Sequence, residues 1–62
     1  MLWLSELLMK SHDLDSFEAL KTAVKERARA GEIHLGMDAR PPFKDTPADW
    51  EDQLEAAFYS RQ

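Results

Sequence analysis

The sequence predicts a mainly α domain of three helices, with a short strand or β-hairpin between the second and third. Three observations carry this. Residues 14–30 read as a capped amphipathic helix closed by Gly31. Ile33, Leu35 and Met37 then alternate with Glu32, His34 and Gly36, which is the period of a half-buried strand. Finally, Thr46-Pro47-Ala48-Asp49 opens a segment that carries Trp50, Leu54, Ala57 and Phe58 at helical spacing. With 62 residues the chain is expected to form one small domain over 1–62.

Each element has its own signals. The first helix is expected over about Leu2–Lys10, where Met1, Leu4, Leu7 and Leu8 share a side and Leu2 and Met9 widen the apolar arc beyond what one neighbouring helix covers. Ser11-His12-Asp13 ends it. Asp15 with Glu18 three residues on forms a capping box for the second helix, expected over 16–30. Its buried stripe is Phe17, Leu20, Val24 and Ala28, and Arg27 and Arg29 suit the negative end of its dipole. Asp38 to Lys44 is a turn or loop, because Pro41-Pro42 removes two ladder donors, and Phe43 is placed to pin it to the core. Thr46 as N-cap and Pro47 at N1 start the third helix, expected over 47–60.

Composition narrows the function classes. A chain this short buries only about 60% of the surface its unfolded form exposes, and small domains are commonly supplemented by disulfides, metal or association. There is no cysteine, and His12 and His34 alone do not make a zinc site. Association, as a homodimer or on a larger partner, is the expected supplement. The net charge of −4 is uneven: residues 45–62 hold five acids and one base, whereas residues 1–44 hold seven of each. A uniformly basic nucleic-acid binder is therefore excluded, and a locally basic face is not. No apolar run reaches the 18 or so residues of a membrane span, and the apolar start meets Glu6 without a basic flank, unlike a signal peptide. A cytoplasmic protein without a membrane partner is expected.

Two surface patterns stand out. Lys21, Lys25 and Arg29 recur at i, i+4 and i+8 and line one face of the second helix. Like charges at that spacing are mildly unfavourable; an anionic partner would offset the cost, and a solvated face partly relieved by Glu18 and Glu26 is the plainer explanation. Leu4-Ser5-Glu6-Leu7-Leu8 is an LxxLL pattern, so Leu4, Leu7 and Leu8 either fill a partner's groove or pack the core. The histidines read as surface residues, and the acids from Asp45 to Glu55 read as dipole matching and solubility, or as an acidic docking face. No serine has a nucleophile-elbow context, and Gly31 and Gly36 are too few for a phosphate loop. No enzyme activity, cofactor, metal or small-molecule substrate is expected.

The order of helix, turn, capped helix, strand, loop and closing helix resembles the small winged-helix regulators related to phage excisionases, MerR-type N-terminal domains and pyocin activators. Leu4 to Leu8, Phe17 to Gly31-Glu32-Ile33, and Trp50 to Leu54 carry the resemblance. It implies that the second helix enters the DNA major groove, with Ser16, Ala19 and Lys21 toward bases and Lys25, Arg29, Arg40 and Lys44 on phosphates. The chain departs from the pattern where Asp13, Asp15 and Glu18 crowd that helix end, and where Pro41-Pro42 occupies the wing. The resemblance implies a DNA-binding transcription regulator acting as a dimer or beside a partner. The alternative is an acidic protein-binding module, such as a phage-type inhibitor, an antitoxin-like protein or an assembly adaptor, docking through helix one or helix three.

Overall fold

The computed structural model describes residues 1–60. Arg61, the one base of the acidic segment, lies outside the described residues. Five elements follow in order: β1 (Leu2–Trp3), α1 (Leu4–Lys10), α2 (Phe17–Arg29), β2 (Leu35–Gly36) and α3 (Trp50–Tyr59). Three helices are present, as the sequence patterns predict. The sheet has two strands, β1 and β2, paired in parallel with Leu2 opposite Leu35 and Trp3 opposite Gly36. The Leu2 amide extends the ladder by donating to the His34 carbonyl at 2.9 Å.

The start of the chain corrects the expected first helix. Leu2 and Trp3 are strand, so Leu2 reaches the core from the sheet and not from a helix face. This accounts for Leu2 in the over-wide apolar arc, while Met1 and Met9 are left exposed. The strand between α2 and α3 is shorter than the alternation of residues 32–37 suggests, since Ile33 is left exposed and only Leu35–Gly36 pair. Its partner is β1, on the other side of α1 and α2 in sequence, so no antiparallel hairpin follows α2 among the described residues.

Glycine is required at two places. Trp3 lays its indole over Gly36, where a Cβ would fall well inside the van der Waals contact distance of ring atoms Cε3 and Cζ3. At the end of α2, Gly31 takes φ of +121°. Its amide donates to Ala28 and the next amide, of Glu32, reaches Arg27, which is the Schellman pattern that satisfies the last carbonyls of a helix.

The helix starts are less local than the sequence suggests. Ser16 caps α2, its hydroxyl accepting from the Ala19 amide at 3.1 Å, in place of Asp15. A second cap comes from far along the chain: Asp45 Oδ1 accepts from the Phe17 amide at 2.8 Å. In α1 the N-cap residue Trp3 offers no side-chain cap, and Asp38 supplies one. One of its carboxylate oxygens accepts from the Ser5 amide at 3.0 Å and the other from the Ser5 hydroxyl at 2.6 Å. Thr46 does not cap α3. Its hydroxyl donates to the Pro41 carbonyl at 3.3 Å, inside a turn closed by the Thr46 amide on Phe43. Residues 47–49 form a separate turn, and α3 begins at Trp50.

The core gathers Leu2, Leu4 and Leu7 from the N-terminal elements, Phe17, Leu20, Val24 and Ala28 from α2, and Leu54 and Phe58 from α3. Pro41 is also fully buried and Phe43 packs on the core, so the connection between β2 and α3 is anchored at both. Full burial of a leucine or phenylalanine side chain contributes about 1.5–3 kcal/mol, which makes this set the main stabilising term.

Two outcomes follow from the caps and the glycine. The hydrogen bonds from the Ser5 hydroxyl, and then the Ser5 amide, hold the Asp38 carboxyl below its ordinary range. A group with a lowered folded-state pKa contributes stability above its unfolded value, about pH 4, and loses it as pH falls through the folded value. The melting temperature of the wild type is therefore expected to drop more steeply below that pH than that of Asp38→Asn, which keeps an acceptor but has no proton to gain. Parallel profiles would contradict the cap. Gly36→Ala must displace the Trp3 ring, and is expected to cost about 1–3 kcal/mol in urea unfolding and to shift tryptophan fluorescence to the red.

Candidate functional site

The predicted basic stripe lies on α2, beside the helix it packs against. Lys21 and Lys25 are half-buried because α3 rises next to them; Arg29, at the last turn, is exposed. Between the two helices runs an open groove of about 490 Å³ lined by Glu18, Lys21, Thr22 and Lys25 on the α2 side and by Gln53, Ala56, Ala57 and Ser60 on the α3 side. The small side chains at 56 and 57 make the depression, since larger residues there would fill it.

A polar chain crosses one end of the groove. Lys21 Nζ is 3.5 Å from Glu18 Oε2 and 3.4 Å from Gln53 Oε1, and Gln53 Nε2 donates to Asp49 Oδ1 at 2.9 Å. With Glu18 mostly in solvent, an ion pair of this kind contributes about 0–1 kcal/mol. The side chains of Lys25 and Arg29 make no hydrogen bond or ion pair among the described residues, and neither do those of Glu51, Asp52 and Glu55 on α3. Opposite charges thus stand on adjacent helices without meeting, because Gln53 and the alanines are what α3 turns toward the lysines. The two hydroxyls of the groove are committed elsewhere: Thr22 donates to the Glu18 carbonyl and Ser60 to that of Ala57, each on its own helix.

The remaining predicted residues do not join this site. Ser16 is engaged as the α2 cap, which occupies its hydroxyl with the Ala19 amide. Lys44 precedes the Asp45 that caps α2, so it belongs to the start of that helix, while Arg29 stands about 20 Å away at its other end. Arg40 is exposed on the β2–α3 connection. Leu4 and Leu7 are 0% and 2% exposed, and Leu8 is half-buried against the same core. As interface residues, Leu4 and Leu7 are corrected to core, because their LxxLL face is filled by the protein's own side chains. His12 and His34 are both exposed, and no helix among the described residues is long and apolar enough to cross a membrane.

The start of α2 is the most acidic place around this helix. Asp45 sits on the Phe17 amide, Glu18 is in the first turn, and Asp13 and Asp15 are exposed just before it. Sequence reasoning found three of these four carboxylates and missed Asp45, whose role depends on a contact 28 residues away. It also missed the groove residues Gln53, Ala56, Ala57 and Ser60, for which only the run of small residues on α3 was available as a signal.

Comparison with known proteins finds no match among family models, curated proteins or solved structures.

Burial separates surface from core variants. Lys25→Ala is expected to change unfolding free energy by no more than about 0.5 kcal/mol. Leu4→Asp places a charge at a fully buried position, costs several kcal/mol, and is expected to abolish the helical circular-dichroism signal. A folded Leu4→Asp protein would return the leucines to the surface.

Proposed function

We propose that the chain is a non-catalytic protein-docking module that meets its partner with the outer face of the α2–α3 pair. The observation that carries this is the groove lined by the unpaired Lys25, with unpaired Arg29 one turn further along α2 and unpaired Asp52 and Glu55 on the exposed surface of α3. A shallow channel floored by small residues lets another backbone come close, and flanking charges select its register and sign. The groove holds no activated nucleophile, since its hydroxyls donate to carbonyls of their own helices. Of the two docking routes considered from sequence, helix one is set aside because its leucines are core. Helix three remains, now joined by α2.

DNA binding of the excisionase type is the second reading, and the free Lys25 and Arg29 are what favour it. The placement of acids weighs against it. A recognition helix presents its first turn to base edges, and here the amide of that turn already carries the Asp45 carboxylate, with Asp13, Asp15 and Glu18 around it. A phosphate backbone approaching this end would meet four carboxylates, offset in part by Lys44 and by the Lys21 that pairs with Glu18. A winged-helix arrangement would further require a hairpin wing, a role that β2 would have to fill while paired with β1.

The two readings part in one experiment. A photo-crosslinking amino acid at position 56 is expected to capture a discrete protease-sensitive partner in cells, at a yield reduced by Lys25→Glu, whereas the same probe at position 12 captures none. Binding of the purified protein to duplex DNA at about 50 mM salt, with affinity falling steeply as salt rises, would overturn the docking assignment.

A further inference from the structure

The outer face of the α2–α3 pair is charged in halves. Along α2, Lys25 and Arg29 stand one turn apart on a stripe that also carries Lys21 and Glu18, and Glu26 adjoins Arg29 three residues before it, so three cations face two carboxylates and the row is net positive. Along α3, Asp52, Glu55, Ala56 and Tyr59 follow at spacings that keep them on one exposed side. Tyr59 is 58% exposed and is held edge-on by the Phe58 ring at 5.1 Å. A half-exposed aromatic with charges at the margin matches the aromatic enrichment and polar rim of protein interfaces.

A face with a net positive row on one helix and a net negative row on its neighbour is complementary to itself. Rotation by 180° about an axis running along the helix pair lays α2 of one copy over α3 of the other, and does so at both halves of the contact, as an isologous interface requires. The helices, about 20 and 15 Å long, offer a surface at the small end of specific interfaces, the class of weak and transient contacts. Folding economy points the same way, because a domain of this length commonly gains stability by association.

Resting on the docking function proposed above, we infer that the occupant of this face is a second copy of the chain: Lys25 and Arg29 of one protomer lie against Asp52 and Glu55 of its partner, with Ala56 and Tyr59 between them. The dimer is held by short-range charge pairing around a small apolar centre, so it weakens as salt rises.

Sedimentation velocity between about 1 and 100 μM, a range that reveals a weak dimer, tests it with two double variants whose helical content is first confirmed by circular dichroism. K25E/R29E makes both helices acidic, and D52K/E55K makes both basic. Each is expected to raise the dimer dissociation constant about tenfold or more. An equimolar mixture of the two is expected to dimerise again within about threefold of wild type, since each reversed row then faces its complement. A monomeric wild type would overturn the inference, as would a dimer indifferent to both variants. A monomer whose position 56 still crosslinks to a different protein would remove self-association and leave the docking function standing. A monomer with no crosslink at that position removes both.

Discussion

Two helix starts in this fold depend on carboxylates from one distant connection. A helix leaves its first amides without internal partners, and in α1 the local sequence offers no side chain for them. Asp38, 33 residues away, takes the Ser5 amide and hydroxyl together. Seven residues further on, Asp45 takes the Phe17 amide of α2. The segment between β2 and α3 is thereby tied to α1 at one point and to α2 at another. Pro41 and Phe43 are packed into the core between those ties. With both ends fixed, β2 lies beside β1 and α3 is delivered against α2, which is the packing that creates the groove.

The same arrangement shapes what the surface can bind. A capping carboxylate satisfies an amide and also places a negative charge where an approaching anion would seek the helix dipole. At α2 that position is taken, and neighbouring acids reinforce it. Positive charge is left on the middle and end of the helix, at Lys25 and Arg29, facing across the groove toward a helix rich in acids. The segregation of charge in sequence, neutral up to residue 44 and acidic beyond, becomes in space a contrast between two adjacent helices. Such a contrast suits recognition of a mixed-charge protein surface better than a uniformly negative polymer.

The extent to which the sequence showed this differs by element. The stripe Phe17, Leu20, Val24 and Ala28 is regular over three turns, and all four residues are buried. Gly31 stops α2 for the reason its position suggests. Leu2 and Trp3 were unreadable as strand, because two residues show no period and the following leucines impose a helical one. The cap of α2 moved by one residue to Ser16, a shift within the usual uncertainty of a boundary. Thr46 has the chemistry of a cap but is drawn to Pro41, a competition that pattern reading does not resolve. The groove was partly legible: its lysines follow from spacing, whereas its depth comes from Ala56 and Ala57, and its neighbours come from a helix packing set by Leu54 and Phe58 in the core together with the long-range caps.

The most direct measurement is amide hydrogen exchange at Ser5 and Phe17 by NMR. Amides bonded to Asp38 and Asp45 carboxylates should exchange slowly for first-turn positions, and each should accelerate when its own aspartate is replaced by alanine and not when the other is. If the Phe17 amide exchanges as freely as an exposed loop amide and ignores Asp45→Ala, the connection does not fasten α2, and the account of both the groove and the sealed helix start is wrong.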